Sequence, residues 1–453
     1  MQNKKNIIII GTGEIGMNIA SRLLSQGHNV SVIEKDKKQL DNLANNFDVK
    51  AIHGNGCLPK NLKEAGAESA DILIALSNID EVNMVSCQVA YSLFDIKLRM
   101  ARIYNHDYLE DDCKDLFNDE DLPVDYIISP EKQVADRLLQ TLSIPKALEA
   151  VYFAGKNHVL FSLKLTKEFK YFNTTIEKLA GKLPYSFKTM LISRDNRTIV
   201  PTKNDHFEQN DIVYFLLNTK DIEEFISSLG FIYSKLKNIL IIGGGNTGYA
   251  IAKDLEKQKC NIKVIEKDTH RSSFLAESLV NSTVINADAM SFRNLDEANI
   301  ANMDIVLNLT DSDEVNSLCS MYEHQVGVEN IYTLIKNNLL GDLTHNMHYA
   351  KVITPRNITA SKILRYVRNS KIYNLYNIEN DSAEVMEVKI SKTSPLIGMS
   401  IEQFNKQTDC KIGAIVNPKG INYDSSSIIH ADDRIIVVVL KDSLKDFYNL
   451  IEK

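Results

Sequence analysis

The chain has 453 residues, of which 44% are hydrophobic and 25% are charged, and its formal net charge is −7. This length exceeds a single core and predicts several domains of about 100 to 200 residues each. The negative charge excludes the strongly basic surface that nucleic-acid binding needs. No run of about 18 apolar residues is present to span a membrane. The cysteines are scattered without a CxxC pair, which indicates reduced thiols rather than disulfides or a zinc site.

A glycine-rich motif follows the first apolar run. Residues 7–10 are isoleucines, and a GxGxxG sequence begins directly after them. The apolar run suits a strand buried in a parallel sheet, and glycines at this spacing allow a tight turn and a close approach to a pyrophosphate. The next helix directs its N-terminus at the phosphates. Glu34 ends the second predicted strand, where a carboxylate accepts both ribose hydroxyls and repels a 2′-phosphate. The motif therefore favours NAD or another adenosine-type nucleotide over NADP, and the neighbouring Lys35 and Lys267 make this exclusion incomplete.

The same motif occurs a second time. Residues 6–36 match residues 238–268 without a gap at 17 of 31 positions. A lone GxGxxG is weak, because glycine turns also close strand-helix corners for packing alone, but here the strand, the helix and the acid all recur. The candidate cofactor-binding residues are Gly11, Gly13, Glu14, Ile15, Gly16 and Glu34 in the first copy, and Gly243, Gly245, Asn246, Thr247, Gly248 and Glu266 in the second.

Further candidates follow the fourth and fifth predicted strands. In the first copy Ser77 and Asn78 follow the fourth strand, and Arg102 ends near the same carboxyl edge, where ligands of this fold bind. The second copy has Thr310 after its fourth strand but leucine or isoleucine where Arg102 stands. Because a guanidinium binds phosphate through two hydrogen bonds, we predict that the first copy binds a dinucleotide more tightly than the second. Two alternatives stay open for the second copy: it accepts a smaller adenosine ligand, or it is empty.

The helix after each fourth strand begins with the same Asp-Glu-Val-Asn sequence. In the first copy it supplies Asp80 and Asn83. Two interpretations stay open: the residues cap the helix, or they lie beside the nucleotide.

Each half ends in a proline, an amphipathic helix and short alternating strands. This order predicts an α/β fold with two Rossmann-type doubly wound parallel-sheet domains, each followed by a small α+β domain. The predicted domains are residues 1–124, 143–228, 236–350 and 368–453. The helices that begin after Pro130 and Pro355 are the leading candidates for contacts between chains, because their apolar faces need a partner.

Over essentially its whole length, the chain resembles the TrkA family. The resemblance lies in the domain order and in residues 80–94 and 127–131. Members are peripheral NAD-binding subunits of Trk potassium uptake systems and carry tandem regulator-of-potassium-conductance (RCK) domains. The family commonly has aspartate where Glu34 and Glu266 stand, and the Gly-Asp of its third strand is Gly54-Asn55 here.

The resemblance implies a function and its partners. It implies a cytoplasmic regulatory subunit on the inner face of the plasma membrane, where a TrkH- or TrkG-type potassium-translocating subunit would be gated by NAD(H) and also by ATP or ADP. It implies a homo-oligomer, with a tetrameric ring as the expected form, and no nucleic-acid partner. It also assigns Ser77, Arg102 and Thr310 to the nucleotide together with the glycines and the two acids.

Two other classes of function are alternatives. An NAD-dependent oxidoreductase uses the same fingerprint, but it needs a placed acid-base group, and His158, His206 and His430 occupy unrelated places in the two small domains. A scaffold with empty glycine turns is the third class. His345 and His348 have no cysteine or acid partner in view, so we predict no metal site. Because no acid-base group is placed at matching positions, we also predict that the chain is not an enzyme.

Overall fold

The computed structural model describes residues 4–109, 111–195, 197–234, 236–347, 349–368, 371–378, 382–418 and 420–452. Strands and helices alternate in the first nucleotide-binding domain and the helix that leaves it: β1 (Asn6–Ile10), α1 (Glu14–Ser25), β2 (Asn29–Glu34), α2 (Lys37–Asn46), β3 (Lys50–His53), α3 (Pro59–Ala65), β4 (Ile72–Ala75), α4 (Asp80–Phe94), β5 (Leu98–Arg102), β6 (Tyr126–Ile128) and α5 (Pro130–Leu142).

The six strands of this domain form one parallel sheet in the order β3-β2-β1-β4-β5-β6. The strand order reverses between β1 and β4, which opens a crevice at the carboxyl edge. The isoleucines of β1 are almost fully buried because helices cover both faces of the sheet. Asp36 fixes the start of α2 by accepting hydrogen bonds from the backbone N–H groups of Lys38 and Gln39.

A small antiparallel domain follows. Its elements are β7 (Glu149–Phe153), β8 (His158–Lys164), α6 (Ile176–Lys182), β9 (Phe187–Arg194), β10 (Arg197–Ile199), β11 (Ile212–Asn218) and α7 (Ile222–Leu229). The strand order is β7-β8-β11-β9-β10. Phenylalanines dominate the core of this domain, with Phe161, Phe215 and Phe225 fully buried against one another.

The second half repeats both domains. Its nucleotide-binding part and the following helix comprise β12 (Asn238–Ile242), α8 (Asn246–Glu256), β13 (Asn261–Glu266), α9 (Thr269–Ser278), β14 (Ser282–Asn286), α10 (Phe292–Glu297), β15 (Ile305–Asn308), α11 (Asp313–Gln325), β16 (Ile331–Leu334), α12 (Asn338–Asn346), β17 (Lys351–Ile353) and α13 (Pro355–Arg368). The small domain comprises β18 (Ile372–Asn377), β19 (Ala383–Lys389), α14 (Ile401–Gln407), β20 (Cys410–Asn417), β21 (Gly420–Asn422), β22 (Arg434–Leu440) and α15 (Leu444–Glu452).

The topology of the second half equals that of the first. The parallel sheet has the order β14-β13-β12-β15-β16-β17, and the antiparallel sheet has the order β18-β19-β22-β20-β21. The predicted fold class is therefore confirmed. No helix among the described residues is both long and apolar enough to cross a bilayer.

The two antiparallel sheets share one hydrophobic core. Leu160, Met190 and Leu216 of the first small domain pack with Val385 and Val438 of the second. The contact is close at Gly413, where a Cβ atom would lie 2.3 Å from the sulfur of Met190. The small domains thus form a pair within one chain.

The chain forms two compact units that divide at the exit helices. One unit comprises residues 1–133 and 356–369, and the other comprises residues 134–355 and 370–453. Within the first unit, α13 lies on the first nucleotide-binding domain. There the Lys5 ammonium donates to the carbonyl of Val367 at 2.6 Å, and Tyr366 stacks on Tyr126.

This arrangement corrects one prediction. The apolar face of α13, which includes Ile363, Leu364 and Val367, is buried. Val134, Leu138 and Leu142 of α5 are buried as well. The two helix faces that we expected to contact another chain are therefore covered within the chain itself. The predicted domain limits stay predictions, because the compact units divide the chain at different places.

Candidate nucleotide-binding sites

The first glycine loop leaves one position open. Gly11 has φ +94°, and a Cβ there would lie 2.9 Å from the Leu76 carbonyl oxygen. A Cβ on Gly16 would lie 2.1 Å from the Gly11 oxygen, so these two glycines are required by the fold. At Gly13, by contrast, φ is −56° and a Cβ would meet nothing within 4 Å. The backbone therefore borders open space at the N-terminus of α1, where a phosphate fits.

The second loop has the same construction. Gly243 has φ +102°, and a Cβ on Gly248 would lie 2.1 Å from the Gly243 oxygen. Gly245 is the open position, because a Cβ there meets nothing within 4 Å. Asn246 and Thr247 form the first turn of α8, as Glu14 and Ile15 do in α1. Both loops thus fit the phosphates of a nucleotide.

The acids at the ends of β2 and β13 are held against these loops. In the first copy Glu34 Oε2 accepts from the Thr12 amide at 2.6 Å and from the Thr12 hydroxyl at 2.9 Å. In the second copy Glu266 Oε2 accepts from the Gly244 amide at 2.8 Å. A carboxylate has about four acceptor positions, so both acids keep capacity for ribose hydroxyls.

A buried asparagine joins the ends of the fourth and fifth strands in each copy. Asn83 accepts from the Ser77 amide and donates to the carbonyls of Ser77 and Arg102. Asn316 does the same with Thr310 and Leu334. These bonds fix the positions of the candidate contacts Ser77 and Thr310.

The aspartates that begin α4 and α11 do not cap these helices, and their proximity to the nucleotide stays a prediction. The N-cap of α4 is Ile79, which makes no side-chain cap. Asp80 instead accepts from the amides of Tyr104 and Asn105, and its counterpart Asp313 accepts from the amides after β16. The two aspartates therefore hold the loops after the fifth strands.

Arg102 lies at the carboxyl edge, as predicted. Its Nη1 donates to Asn78 Oδ1 at 3.1 Å, and its Nη2 lies 3.3 Å from Glu131 Oε1 in the first turn of α5. Its Nε is buried and has no hydrogen-bond partner among the described residues. The asparagine bonds identify Leu334 as the equivalent residue in the second copy, so the predicted loss of an arginine at this place is correct.

The second copy has a different arginine, which the sequence reasoning missed. Arg271 Nε donates to the Gly244 carbonyl at 2.8 Å, and its guanidinium lies over the rings of Phe274 and Tyr249. The equivalent residue of the first copy is Gln39. Arg271 lies three residues beyond the aligned repeat, so the sequence shows its positive charge. The sequence does not show the direction of its side chain.

The third-strand residues form local turns. Asn55 Oδ1 accepts from the Cys57 amide, and Asp288 Oδ1 accepts from the Met290 amide. Within the described ranges no group of three or more His, Cys, Asp or Glu side chains is arranged to hold a metal ion. His348 of the histidine pair lies outside those ranges.

A buried polar pair lies in the core of the second copy. Glu323 of α11 and Asn308 of β15 are fully buried, and Asn308 Nδ2 donates to Glu323 Oε2 at 2.8 Å. Burial raises the pKa of Glu323 to about 8. Glu323 Oε1 and Asn308 Oδ1 lack hydrogen-bond partners in the described part of the chain. Two acceptors cannot bond each other, but a protonated Glu323 carboxyl has an O–H group that can serve as the donor. The first copy has Ala75 and Ala90 at these places.

Comparison with known proteins places the chain in a family. The profile of the TrkA-N domain matches residues 7–130 and 239–355, and that of the TrkA-C domain matches residues 385–452. The Trk system potassium uptake protein TrkA of Azorhizobium caulinodans is 31% identical over 97% of each chain. The protein of the same name from Halomonas elongata is 32% identical over 98% of each chain.

Solved structures agree with the fold. The crystal structure of the GsuK RCK domain superposes with a TM-score of 0.63 at 16% identity and covers 99% of this chain and 95% of that chain. The GsuK channel bound to NAD gives a TM-score of 0.62 at 17% identity over 99% of this chain and 79% of that chain. With its repeated glycine loops, its matching small domains and these relatives, the chain belongs to the TrkA family of Trk system potassium uptake proteins.

Proposed function

We propose that this chain is the nucleotide-binding regulatory subunit of a Trk-type potassium uptake system. It would act in the cytoplasm, on the inner face of the membrane, beneath a TrkH- or TrkG-type subunit. The observation that carries the proposal is the pair of glycine loops, each with an open position at an N-terminal helix end and a carboxylate beside it. Family membership supplies the link to potassium uptake.

NAD(H) is the ligand that these loops suit best. Backbone N–H groups at the start of α1 hold the pyrophosphate, Glu34 accepts from the ribose hydroxyls, and Arg102 adds a charge-assisted contact. ATP and ADP share the adenosine and phosphate groups and form the second ligand class. Other RCK structures support both classes, since GsuK is described with NAD and with ADP.

A route from the crevice to the exit helix begins at Arg102. Its guanidinium contacts Asn78 on one side and Glu131 of α5 on the other. A phosphate that binds Arg102 competes with Glu131 for the same N–H donors. The ligand would therefore favour one arrangement of α5, and differential affinity of this kind shifts a conformational population. The membrane subunit would respond to that shift.

The proposed subunit is a homo-oligomer, with a tetrameric ring as the expected form. A channel or transporter presents a symmetric cytoplasmic face, and closed rings match such faces. Because the chain covers α13 with its own first unit, the ring contacts must lie elsewhere. Light scattering of the full chain at micromolar concentration tests this, and a monodisperse monomer with and without NADH contradicts it.

The ligand proposal is tested by thermal unfolding of the full chain with NAD, NADH, ATP or ADP. A ligand that binds only the folded state raises the melting temperature, by an amount that grows with the ratio of its concentration to its Kd. We expect an increase with NADH that is lost when Gly13 and Gly245 are both replaced by valine. An unchanged melting temperature with all four nucleotides contradicts the proposed function.

A further inference from the structure

We propose that Arg271 adapts the second crevice to dinucleotides that carry a 2′-phosphate, so that it accepts NADP(H) while the first crevice selects NAD(H). This inference rests on the proposed nucleotide-binding function and deepens it. It assigns different ligand classes to two loops that share one backbone design.

At one pair of structurally equivalent positions beside the loop, residues 39 and 271, the two copies differ in charge. Asp36 accepts from the amide of Gln39, and Asp268 accepts from the amide of Arg271 at 2.7 Å. These capping bonds show that both residues occupy the same place in the first turns of α2 and α9. The first copy has a neutral side chain there, and the second has a permanent cation.

Arg271 binds the same loop residue as the ribose acid. The Gly244 amide donates to Glu266 Oε2, and the Gly244 carbonyl accepts from Arg271 Nε, both at 2.8 Å. One residue therefore separates the carboxylate that receives the ribose hydroxyls from the guanidinium. A phosphate on the ribose 2′-oxygen would extend from the carboxylate side of the loop toward this cation.

Aromatic rings hold the guanidinium in position. Arg271 Cζ lies 4.7 Å from the centre of the Phe274 ring and 5.7 Å from that of Tyr249. Stacking of this kind reduces the entropy that a long side chain loses on binding an anion. In the first copy, the Gln39 amide oxygen lies 3.4 Å from the Thr12 hydroxyl. That group offers no positive charge to a phosphate.

The loop residue that contacts the acid also differs between the copies. The first copy has Thr12 where the second has Gly244. A Cβ on Gly244 would lie 2.2 Å from Leu275 and 3.2 Å from Glu266 Oε2, so a side chain does not fit. Lys37 and Lys38 of α2 are exposed, and the α2 position equivalent to Arg271 holds the neutral Gln39. Glu34 therefore repels a 2′-phosphate without a cation at that position, whereas Arg271 offsets the charge of Glu266.

Reciprocal substitutions in the full chain test the inference, with each crevice isolated in turn. Gly13→Val and Gly245→Val each place a side chain in the open phosphate position, and both glycines have ordinary negative φ angles, so the backbone tolerates the change. Arg271→Gln is made with Gly13→Val, and Gln39→Arg is made with Gly245→Val. Kd values for NADH and NADPH are measured by fluorescence titration, and thermal melts confirm that each variant is folded.

We expect Arg271→Gln to weaken NADPH about tenfold or more and NADH less than about twofold, since a charge-assisted bond is lost only with the former. Gln39→Arg should tighten NADPH in the first crevice. Equal loss of both ligands would make Arg271 a structural brace and overturn the inference. So would a Gly13→Val protein that binds neither ligand while Gly245→Val binds NADH, although the proposed function would survive. A wild-type chain that binds no nucleotide overturns both.

Discussion

The two nucleotide-binding crevices have the same backbone structure and differ in the side chains that line them. The buried asparagines and the loop-holding aspartates make the same backbone bonds in both copies. The charges around the ligand space differ. The first crevice has an arginine after its fifth strand, and the second has an arginine on the helix after its second strand.

This difference shows which parts of a duplicated domain are free to change. Bonds from Asn83 and Asn316 fix where the strands end, so replacing either would leave several buried backbone groups without partners. The Arg102 side chain bonds only side chains, and Arg271 bonds a single backbone carbonyl, that of Gly244. Each arginine has a neutral counterpart in the other copy. One scaffold can therefore present two ligand preferences within a single chain.

The largest expected effect concerns the buried pair that only the second copy has. The pKa of Glu323 is raised from 4.5 to about 8, so the folded state holds a proton that the unfolded state releases between these values. Stability should therefore fall as pH rises from about 4.5 to about 8, at about 1.4 kcal/mol per pH unit. Glu323→Gln keeps a hydrogen-bond donor at this place and has no carboxyl to ionise. The stability of this variant relative to wild type should therefore increase as the pH rises to about 8.

Melting temperatures at pH 6 and pH 8.5 measure this advantage. Glu277→Gln, on the exposed face of α9, is the matched control and should show the same small difference at both values. A Glu323→Gln advantage that does not change with pH would mean that the carboxyl is already ionised at pH 6 in the folded chain.

The next effect tests the arginine of the first crevice. Arg102→Leu gives the first copy the residue of the second, and in the Gly245→Val background it should weaken NADH binding by about 1.5 to 3 kcal/mol, the worth of a charge-assisted bond. Calorimetry measures the loss. Arg197→Leu, which removes an exposed arginine of β10, is the control and should leave the Kd unchanged. If Arg102→Leu also leaves it unchanged, Arg102 does not contact the ligand.

A smaller effect is expected at the ribose acids. Glu34→Gln keeps an acceptor for Thr12 but removes the charge, so NADH binding should weaken by about 1 kcal/mol while NADPH loses less or improves. Fluorescence titration in the Gly245→Val background gives both values. Equal losses for the two dinucleotides would place the ribose away from Glu34.

The smallest effect concerns the contact between Arg102 and Glu131. Both side chains are mostly buried, and their atoms lie 3.3 Å apart. Glu131→Gln should free the guanidinium for phosphate and tighten NADH by less than about 1 kcal/mol, the usual range for a weak ion pair. Weaker NADH binding in this variant would contradict the proposed competition.

Patterns of apolar residues in short segments predicted most helices and strands of the nucleotide-binding domains. From the sequence alone, residues 37–46 are predicted to form a helix and residues 50–53 a short strand. Both coincide with α2 and β3, because the pattern of apolar residues in each segment is a clear local signature. In the small domains the sequence predicts strands at residues 158–165, 189–193, 211–217, 383–390, 412–417 and 433–440, and it does not predict β7 or β18. These two strands are stabilised by pairing and by the shared core of the small domains, and neither influence is visible in a short window.

The site was predictable only in part. Glycine spacing and the acids after the second strands identified both loops, since backbone geometry alone demands those residues. The orientation of Arg271 and the burial of Glu323 depend on tertiary contacts, and a charged residue on a helix is ordinarily expected to face solvent. Asp80 and Asn83 were singled out, but their role as backbone anchors required the structure.

The most direct test of the account is calorimetry of the full chain with NADH, comparing wild type, Gly13→Val and Gly245→Val. Separate halves are unsuitable, because residues 356–369 belong to the same compact unit as the first domain. We predict that Gly245→Val retains the tighter binding event and that Gly13→Val abolishes it. Retention of the tighter event by Gly13→Val together with its loss in Gly245→Val would contradict the assignment of NADH to the first crevice.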